Sequence, residues 1–333
     1  MGAILVLTRN DIQKAVSMID AIDAVGEAFR SLSKGETAVP LRTPVPVPEN
    51  NGVALFMPGF LPAGKALGLK AISVFPDNPA KGIPTINAVF LLMSPETGEP
   101  LALMEANYLT ALRTGAASGL ATRHLAKQET PIVAVFGAGA QARTQLEAVH
   151  AVREISEVRV FDLHPAAVEK YIKDMKSILT DPVPAFSAAA TPETAVADAD
   201  VIITATTSTQ PVFNGSFLKT GAHINGVGSY TPQMREIDLT ALQRADKIVV
   251  DAVSAALEEA GDLIIPLTAG QIARSDIYGE IGEVAAGLMP GRESDSEITI
   301  FKTVGHAVQD LAVARLIYER ASRDNLGTII ELL

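Results

Sequence analysis

The feature that most constrains the fold is an apolar run, residues 132–136, which stops at two glycines and passes into a helical pattern. Residues 132–142 read Ile-Val-Ala-Val-Phe-Gly-Ala-Gly-Ala-Gln-Ala, which predicts a buried strand, a G-x-G-x-x-A turn and a helix. The first glycine permits the tight turn, the second lets a pyrophosphate approach bare backbone, and free N–H groups at the helix start meet its charge. We therefore predict cofactor contacts from Gly137, Ala138, Gly139, Ala140, Gln141 and Ala142.

A second apolar strand follows one helix later and ends in an acid. Residues 158–161 read Val-Arg-Val-Phe and precede Asp162, the place where NAD-binding domains of this kind hold both ribose hydroxyls on a carboxylate. We predict that Asp162, with Leu163 and His164 beside it, contacts the cofactor. The alternative is that Asp162 only caps the helix that starts near Pro165, because aspartate is a common N-cap residue.

Composition excludes several classes of function. The chain has 333 residues, a net charge of -11, a pI near 5.0 and no Lys/Arg cluster, which argues against nucleic acid or an anionic membrane surface as partners. It has no cysteine, and its five histidines show no metal-ligand spacing, so we predict no metal site. No signal peptide or membrane-spanning run is recognisable, and we expect a cytoplasmic protein.

From residue 130 to about residue 301 strands alternate with helices, which predicts a doubly wound parallel sheet. Ligands of such sheets bind at the carboxyl ends of the strands. Two polar loops follow strands there and are predicted to touch the nicotinamide half of a cofactor: Thr204, Ala205 and Thr206 in one, and Val227, Gly228 and Ser229 in the other. Plain turns are the alternative interpretation.

The first hundred residues predict an α+β arrangement with a mainly antiparallel sheet. A capping box at Thr8 predicts a first helix, and Asp20 is predicted to cap a second that ends at Gly35. Prolines between residues 39 and 67 predict edge strands and loops, and residues 86–104 predict a hairpin. Helical spacing predicts a long helix over residues 107–127 and another over residues 301–325 that returns to the N-terminal part.

Three isolated cations are candidates for anion binding. Arg42 lies between prolines, Lys70 interrupts an apolar strand, and Arg113 lies among small residues that leave space for a ligand. From the residues alone, Lys70 is also consistent with a surface lysine that extends to solvent, and Arg113 with an arginine bonded to carbonyls of its own protein or to a helix C-terminus. The apolar segment Leu55-Phe56-Met57 is predicted to line the same pocket.

Together these segments resemble the ornithine cyclodeaminase/mu-crystallin family over nearly the whole chain. The resemblance is carried by Arg42, Phe56-Met57-Pro58-Gly59, Gly68-Leu69-Lys70, Pro84-Thr85, Thr97-Gly98-Glu99-Pro100, residues 109–116, residues 136–142, Arg235-Glu236-Ile237-Asp238 and Phe301-Lys302-Thr303-Val304-Gly305. The family contains ornithine cyclodeaminases, archaeal-type alanine dehydrogenases, ketimine reductases and thyroid-hormone-binding mu-crystallins, and its members are typically dimers that pair through the sheet of the substrate domain.

The resemblance implies the organisation of the chain and the roles of its residues. It implies an α/β fold with two domains: a discontinuous α+β substrate-binding and dimerisation domain, residues 1–118 completed by a C-terminal helix over 305–333, and a Rossmann-type NAD(P)-binding domain, residues 119–304. Arg42, Lys70 and Arg113 match the family's clamp on the substrate carboxylate and are the predicted catalytic residues. Met57, Thr85 and Ser229 are predicted to contact the substrate as well.

One departure from the family pattern bears on the activity. The resemblance places Ser229 at the position of the catalytic aspartate of ornithine cyclodeaminases. A serine hydroxyl cannot replace that aspartate as a base near neutral pH. We therefore expect an NAD(P)H-dependent reductase of a small cyclic α-imino acid. The expected reaction converts Δ1-pyrroline-2-carboxylate to L-proline, with Δ1-piperideine-2-carboxylate to L-pipecolate as a second reaction. The alternatives are ornithine cyclodeaminase, alanine dehydrogenase and a non-enzymatic, nucleotide-dependent binding protein of the mu-crystallin kind.

Cofactor choice is predicted from Asp162, whose carboxylate repels the additional phosphate of NADP. We expect NAD(H) to be preferred and NADP(H) to remain usable, because His164, or Arg143 just after the glycine turn, could pair with that phosphate. A homodimer is expected as well.

Overall fold

The computed structural model describes residues 2–331 and divides the chain into two compact units. The first contains residues up to Arg113 together with residues from Ala307 onward, and the second runs from Thr114 to His306. The predicted boundary after residue 118 and this boundary after Arg113 lie in the same helix.

The first unit is a seven-stranded sheet with helices, and most neighbouring strands are antiparallel. Its elements in chain order are β1 (Ala3–Leu7), α1 (Arg9–Ala15), α2 (Met18–Ser33), β2 (Thr43–Val47), β3 (Gly52–Leu61), β4 (Ala66–Val74), β5 (Ile86–Met93), β6 (Pro100–Glu105) and the start of α3 (Ala106–Leu125). The order of strands is β15-β1-β6-β5-β4-β3-β2, where β15 is the C-terminal strand Thr328–Glu331. The hairpin predicted over residues 86–104 is confirmed by the pairing of β5 with β6.

The second unit is a fully parallel sheet of eight strands. Its elements are β7 (Ile132–Phe136), α4 (Ala140–Val152), β8 (Glu157–Phe161), α5 (Pro165–Ile178), β9 (Ala185–Ala188), α6 (Pro192–Val196), β10 (Val201–Thr204), β11 (His223–Gly226), α7 (Leu239–Arg244), β12 (Lys247–Val250), α8 (Val253–Glu259), α9 (Gly261–Thr268), β13 (Ile277–Glu280), α10 (Ile281–Ala285) and β14 (Thr299–Lys302). The chain then continues into α11 (Ala307–Arg323) of the first unit.

The strand order of this sheet, β13-β12-β14-β11-β10-β7-β8-β9, reverses direction at β7. From β7 the chain first steps outward through β8 and β9 and then crosses to β10 and β11, which is the Rossmann arrangement. The predicted fold class is therefore confirmed. The reversal places the carboxyl ends of β7 and β10, the site of the glycine turn and of the loop after Thr204, beside each other.

Several predicted details were wrong. Ser17, not Asp20, is the N-cap of α2, and Asp20 is the third helical residue of a capping box in which each side chain bonds the other residue's backbone. β3 is a ten-residue strand between two neighbours, not an edge strand. Pro58 fits in it because β2 pairs with β3 only as far as Phe56. Phe301 begins no helix, since it and Lys302 belong to β14. The predicted C-terminal helix over residues 305–333 is also wrong at its end, because α11 stops at Arg323 and the strand β15 follows.

Buried helices cover one face of the first sheet. α11 packs against α2 and lies on β3 and β4, and its residues from Ala307 to Ala314 are all buried. Within this apolar stretch Gln309 and Asp310 are completely buried polar residues. A buried carboxylate needs partners, so donor side chains are expected beside this part of the helix.

Candidate functional site

Lys70 is a buried lysine on a strand, with its ammonium group facing a buried carboxylate. Its neighbours across β3 and β5 are Met57 and Phe90, both buried, so the three side chains share the covered face of the sheet. The Nζ atom of Lys70 donates to both carboxylate oxygens of Asp310, at 2.9 and 2.8 Å. Lys70 is 1% exposed, which excludes the surface-lysine alternative.

Arg113 binds the same carboxylate from helix α3. Its Nε donates to Oδ1 of Asp310 at 3.1 Å, and its Nη1 donates to the side-chain oxygen of Gln309. Arg113 is 5% exposed. Two cations from a strand and a helix thus converge on one acid of α11, and a further anion placed there would meet a net positive charge.

Burial and a second cation change the proton affinity of Lys70. The pKa of its ammonium group is lowered to about 7, chiefly by burial and next by the nearby charge of Arg113, while Asp310 acts in the opposite direction. Arg42 also contributes to the lowering, which places it within electrostatic range of Lys70. A lysine with a pKa near neutrality exchanges its proton readily and suits acid–base chemistry.

The remaining predicted substrate residues of the first unit do not all lie on the same face of the sheet as Lys70. Met57 lies on the face of Lys70, whereas Phe56 is 38% exposed and faces the other side, because successive strand residues alternate. The prediction that Phe56 lines the pocket of Lys70 was wrong for that reason. Thr85 is half-buried just before β5, and its carbonyl accepts the N–H of Phe75 at 2.8 Å.

The glycine turn of the second unit has the geometry of an anion site. Gly137 has φ +93, and a Cβ there would lie 2.6 Å from the carbonyl oxygen of Ala205, so only glycine fits. Gly139 is the N-cap of α4, is exposed and has open space where a Cβ would be. No side chain caps this helix, so its first N–H groups are directed to whatever lies beyond the exposed turn. Ala138, Ala140, Gln141 and Ala142 complete the turn, and Ala142 is fully buried.

Asp162 braces this turn from the end of β8. Its Oδ2 accepts the N–H of Ala138 and its Oδ1 accepts the N–H of His164, both at 2.9 Å. His164, not Asp162, is the N-cap of α5, so the helix-cap alternative was wrong. Each carboxylate oxygen retains accepting capacity for a ribose hydroxyl. Leu163 is 83% exposed and His164 is exposed as well.

Arg143 takes part in another network. Its Nη1 donates to the carbonyls of Ala138 and Gly139, at 3.0 and 2.7 Å, and its Nη2 donates to Asp174 at 2.7 Å. Arg143 therefore stabilises the glycine turn by binding two of its carbonyl groups. In this arrangement the guanidinium group is occupied within the protein instead of being available to a phosphate on the ribose.

The two loops predicted to hold the nicotinamide half meet on one buried acid, Glu236. This carboxylate accepts hydrogen bonds from Thr204 and Thr206 of one loop and from Gly228 and Ser229 of the other. The side chain of Ser229 donates to the carbonyl of Met234 at 2.8 Å. These loops are thus ordered turns at the carboxyl ends of β10 and β11. Ala205 is the first residue after β10, and Val227 is the first residue after β11.

The second unit fits a nicotinamide dinucleotide by its own geometry. An uncapped helix start, a turn with room for a pyrophosphate and an acid beside it are the parts that such a cofactor requires. No group of three or more metal-ligating side chains occurs among residues 2–331, and no helix in that range is long and apolar enough to cross a membrane.

Comparison with known proteins assigns the chain to a family. The family model of the ornithine cyclodeaminase/mu-crystallin family matches residues 3–325. The chain belongs to this family. A Bacillus cereus protein named Δ(1)-pyrroline-2-carboxylate reductase is 40% identical over 327 residues, covering 98% of this chain and 99% of the relative.

Two solved structures of the family are similar throughout. The Thermococcus litoralis Δ(1)-pyrroline-2-carboxylate reductase, in complex with NADH and L-proline, has a TM-score of 0.93 and 42% identity, and the match covers 98% of this chain and 99% of that one. An archaeal alanine dehydrogenase dimer with bound NAD has a TM-score of 0.91 and 38% identity, and the match covers 99% and 100% of the two chains.

Sequence reasoning missed three residues of the two candidate sites. Asp310 and Gln309 hold the cations of the first unit, and Glu236 joins the loops of the second. Asp310 stands inside an apolar helical stretch, and a charge in such a stretch is a signal that a buried partner exists. Glu236 lies in a segment that carries the family resemblance, yet its role is visible only once the loops are in place.

Proposed function

We propose that this protein reduces the C=N bond of a small cyclic α-imino acid, with Δ1-pyrroline-2-carboxylate as substrate and L-proline as product. The six-membered homologue, Δ1-piperideine-2-carboxylate, is proposed as a second substrate that yields L-pipecolate. Bound NADH supplies the hydride that is added to the imine carbon. The proposal is supported by the family, by the named activity of its relatives and by the chemistry of the residues around Asp310.

The observation that carries the proposal is the pair of buried cations on one carboxylate. Asp310 compensates one of two positive charges, so Lys70 and Arg113 keep a net charge for the substrate carboxylate. Two of the three N–H donors of Lys70 are used by Asp310, and the third remains for a substrate. Arg42 adds to the positive potential from the loop before β2. Met57 provides an apolar neighbour on the same face of the sheet.

Lys70 also has the chemistry to complete the reduction. Hydride addition to the imine carbon leaves the nitrogen with an additional electron pair, which must receive one proton. The pKa of Lys70, lowered by burial to about 7, makes its Nζ a suitable donor of that proton. Arg113 and Arg42 then serve to bind the carboxylate and to fix the angle of the ring.

We propose further that NAD(H) is preferred. Asp162 is held by two backbone N–H groups, and its negative charge disfavours a phosphate on the neighbouring ribose. The pairing of Arg143 with Asp174 removes one cation that would have favoured NADP(H). His164 remains as an exposed residue through which NADP(H) would still be used.

A homodimer and a cytoplasmic location complete the proposal. Phe56, Ala71 and Val89 form a row across β3, β4 and β5 on the face opposite Lys70, and Phe56 and Val89 are exposed. We propose that a second copy of the chain covers this row. Light scattering of wild type and of Val89→Glu tests it: a wild type that stays monomeric would contradict it. Cell fractionation tests the location.

Alanine dehydrogenase is the second candidate function, because an alanine dehydrogenase shares the fold closely. The test is an assay of purified protein with NADH or NADPH against both cyclic ketimines, pyruvate plus ammonia, and ornithine. We expect the five-membered ketimine to be reduced with the highest kcat/KM. Faster turnover of pyruvate plus ammonia would identify an alanine dehydrogenase. Ammonia release from ornithine above the ketimine rate would identify a cyclodeaminase, and binding without turnover of any substrate would identify a mu-crystallin-like protein.

A further inference from the structure

Three charged residues of the second unit are completely buried and contact one another, although neither the glycine turn nor Asp162 involves them. They are Glu236, Asp262 and Lys302, each with 0% exposure. Asp262 Oδ1 accepts the backbone N–H groups of Glu236 and Ile237, at 2.6 and 2.9 Å. Asp262 Oδ2 lies 3.0 Å from Nζ of Lys302.

The carboxylate of Glu236 is saturated by donors from two loops. Oε1 accepts from the backbone N–H of Thr206 at 2.6 Å and from its hydroxyl at 2.8 Å. Oε2 accepts from the N–H of Gly228 at 2.6 Å, the N–H of Ser229 at 3.1 Å and the hydroxyl of Thr204 at 3.0 Å. Oε1 thus binds only the loop after β10, whereas Oε2 binds the loop after β11 and also the hydroxyl of Thr204. All five partners are donors.

The two loops are both bonded to this acid and approach each other closely. A Cβ on Gly228 would lie 2.1 Å from the carbonyl oxygen of Thr206 and 2.5 Å from Oε1 of Glu236. The loops follow β10 and β11, which are adjacent, and a nicotinamide ring would lie at this carboxyl edge. Burying three charges for packing alone is unfavourable, since apolar residues would serve as well or better.

We propose that Glu236, fixed by Asp262 and Lys302, is a positioning residue that sets the two loops for the nicotinamide half of the cofactor. It acts through the loop backbones and does not touch the cofactor itself. The adenosine half depends on other elements, the glycine turn and Asp162, and needs no contribution from Glu236. The inference rests on the proposed use of NADH but not on the identity of the imino acid.

The variant Glu236→Gln tests this with little change of shape. An amide offers one acceptor and one donor group, and the NH₂ group must face either the Thr206 loop or the Gly228 loop, where N–H donors already point. Whichever way the amide turns, one loop loses its acceptor. We expect the Kd for NADH to rise about 10-fold or more, with kcat/KM falling chiefly through KM for NADH. The Kd for ADP-ribose should change less than about twofold.

Three further variants make the experiment decisive. Asp162→Ser should weaken ADP-ribose and NADH alike, and the exposed Glu193→Gln should change neither. If Glu236→Gln does not fold, Thr204→Val replaces it. Thr204 is fully buried, so its hydroxyl does not reach a cofactor as the sequence predicted and instead donates to Glu236, through which it would act. This variant should raise the Kd for NADH about threefold and leave that for ADP-ribose unchanged.

Equal weakening of NADH and ADP-ribose by Glu236→Gln, or unchanged binding of both, would overturn the proposal. A wild type that binds NADH but reduces no ketimine would refute the proposed function, while the contrast between the two ligands would still support the role of Glu236. A wild type that binds neither ligand would overturn both.

Discussion

Replacing Asp310 by asparagine should impair the enzyme more than any other change of equal size. The carboxylate accepts three hydrogen bonds from two cations, at 2.8, 2.9 and 3.1 Å, in a place where all three side chains are buried. Asparagine keeps the shape but removes the charge and turns an NH₂ group towards a cation. Removing one partner of a buried ion pair costs about 3–5 kcal/mol.

Part of this free-energy cost can be avoided, because Lys70 can lose its proton and thus its charge. Asp310 raises the pKa of Lys70 by its charge and by its hydrogen bonds, against burial and Arg113, which lower it. Without Asp310 the pKa therefore falls below its wild-type value of about 7. If the protonated form is the active one, activity is present below the pKa and is lost as the pH rises through it. We expect kcat/KM at neutral pH to fall by about 3 kcal/mol, or roughly 150-fold.

The assay is kcat/KM for the ketimine from about pH 5 to about pH 9, because this parameter reports groups of the free enzyme. Wild type should lose activity above about pH 7, and Asp310→Asn should lose it at lower pH. Glu319→Gln, on the exposed side of the same helix, is the matched control and should keep the wild-type profile. A variant with an unmoved alkaline limb and kcat/KM within about threefold of wild type would refute the reasoning.

Four further changes are expected to have separable effects. Arg113→Lys keeps the charge but loses the planar fork, so kcat/KM should fall by at least about 2 kcal/mol, and a near-normal value would contradict the carboxylate clamp. Asp162→Ser should raise kcat/KM for NADPH relative to NADH; an unchanged ratio, or a wild type that favours NADPH, would mean that Asp162 does not select the cofactor. Gly115→Ala would bring a Cβ to 2.4 Å from the carbonyl oxygen of Thr144, so urea unfolding should show a loss of about 1–3 kcal/mol. Ser118→Ala, which removes a buried hydroxyl without a hydrogen-bond partner in the described structure, should unfold like wild type or later.

Local patterns were sufficient where a single segment determines the outcome. The glycine turn after β7 was predictable because Gly137 must adopt a positive φ and Ala142 must be small, and both demands arise within one turn of chain. The capping box at Thr8 and the hairpin of β5 and β6 were predictable for the same reason. Asp20 was misjudged because a capping box contains two residues that both favour a helix start, and Ser17 lies three positions before it.

Strand assignment was only partly right where prolines dominated the pattern: β2, which contains two prolines, is an edge strand as predicted, whereas β3 is not. A proline cannot donate to a ladder, so the stretch from residue 39 to residue 67 predicted edges and loops. In the structure, Pro58 lies past the last residue of β3 that pairs with β2, and the strand accommodates it in the middle of a sheet. The position of the neighbouring strand, which no local pattern contains, decided the outcome.

The partners of the buried acids could not be predicted from local sequence either. Lys70 and Asp310 are 240 positions apart, and Glu236 receives its donors from loops that follow two different strands. A charge inside an apolar stretch indicates that a partner exists, because an unpaired buried charge is too costly to persist. It does not identify the partner, since that choice depends on which elements the topology brings together. The residues proposed to bind ligands directly were therefore accessible through their own segments, whereas the residues that hold them in place became visible only when strands and helices distant in sequence had been placed side by side.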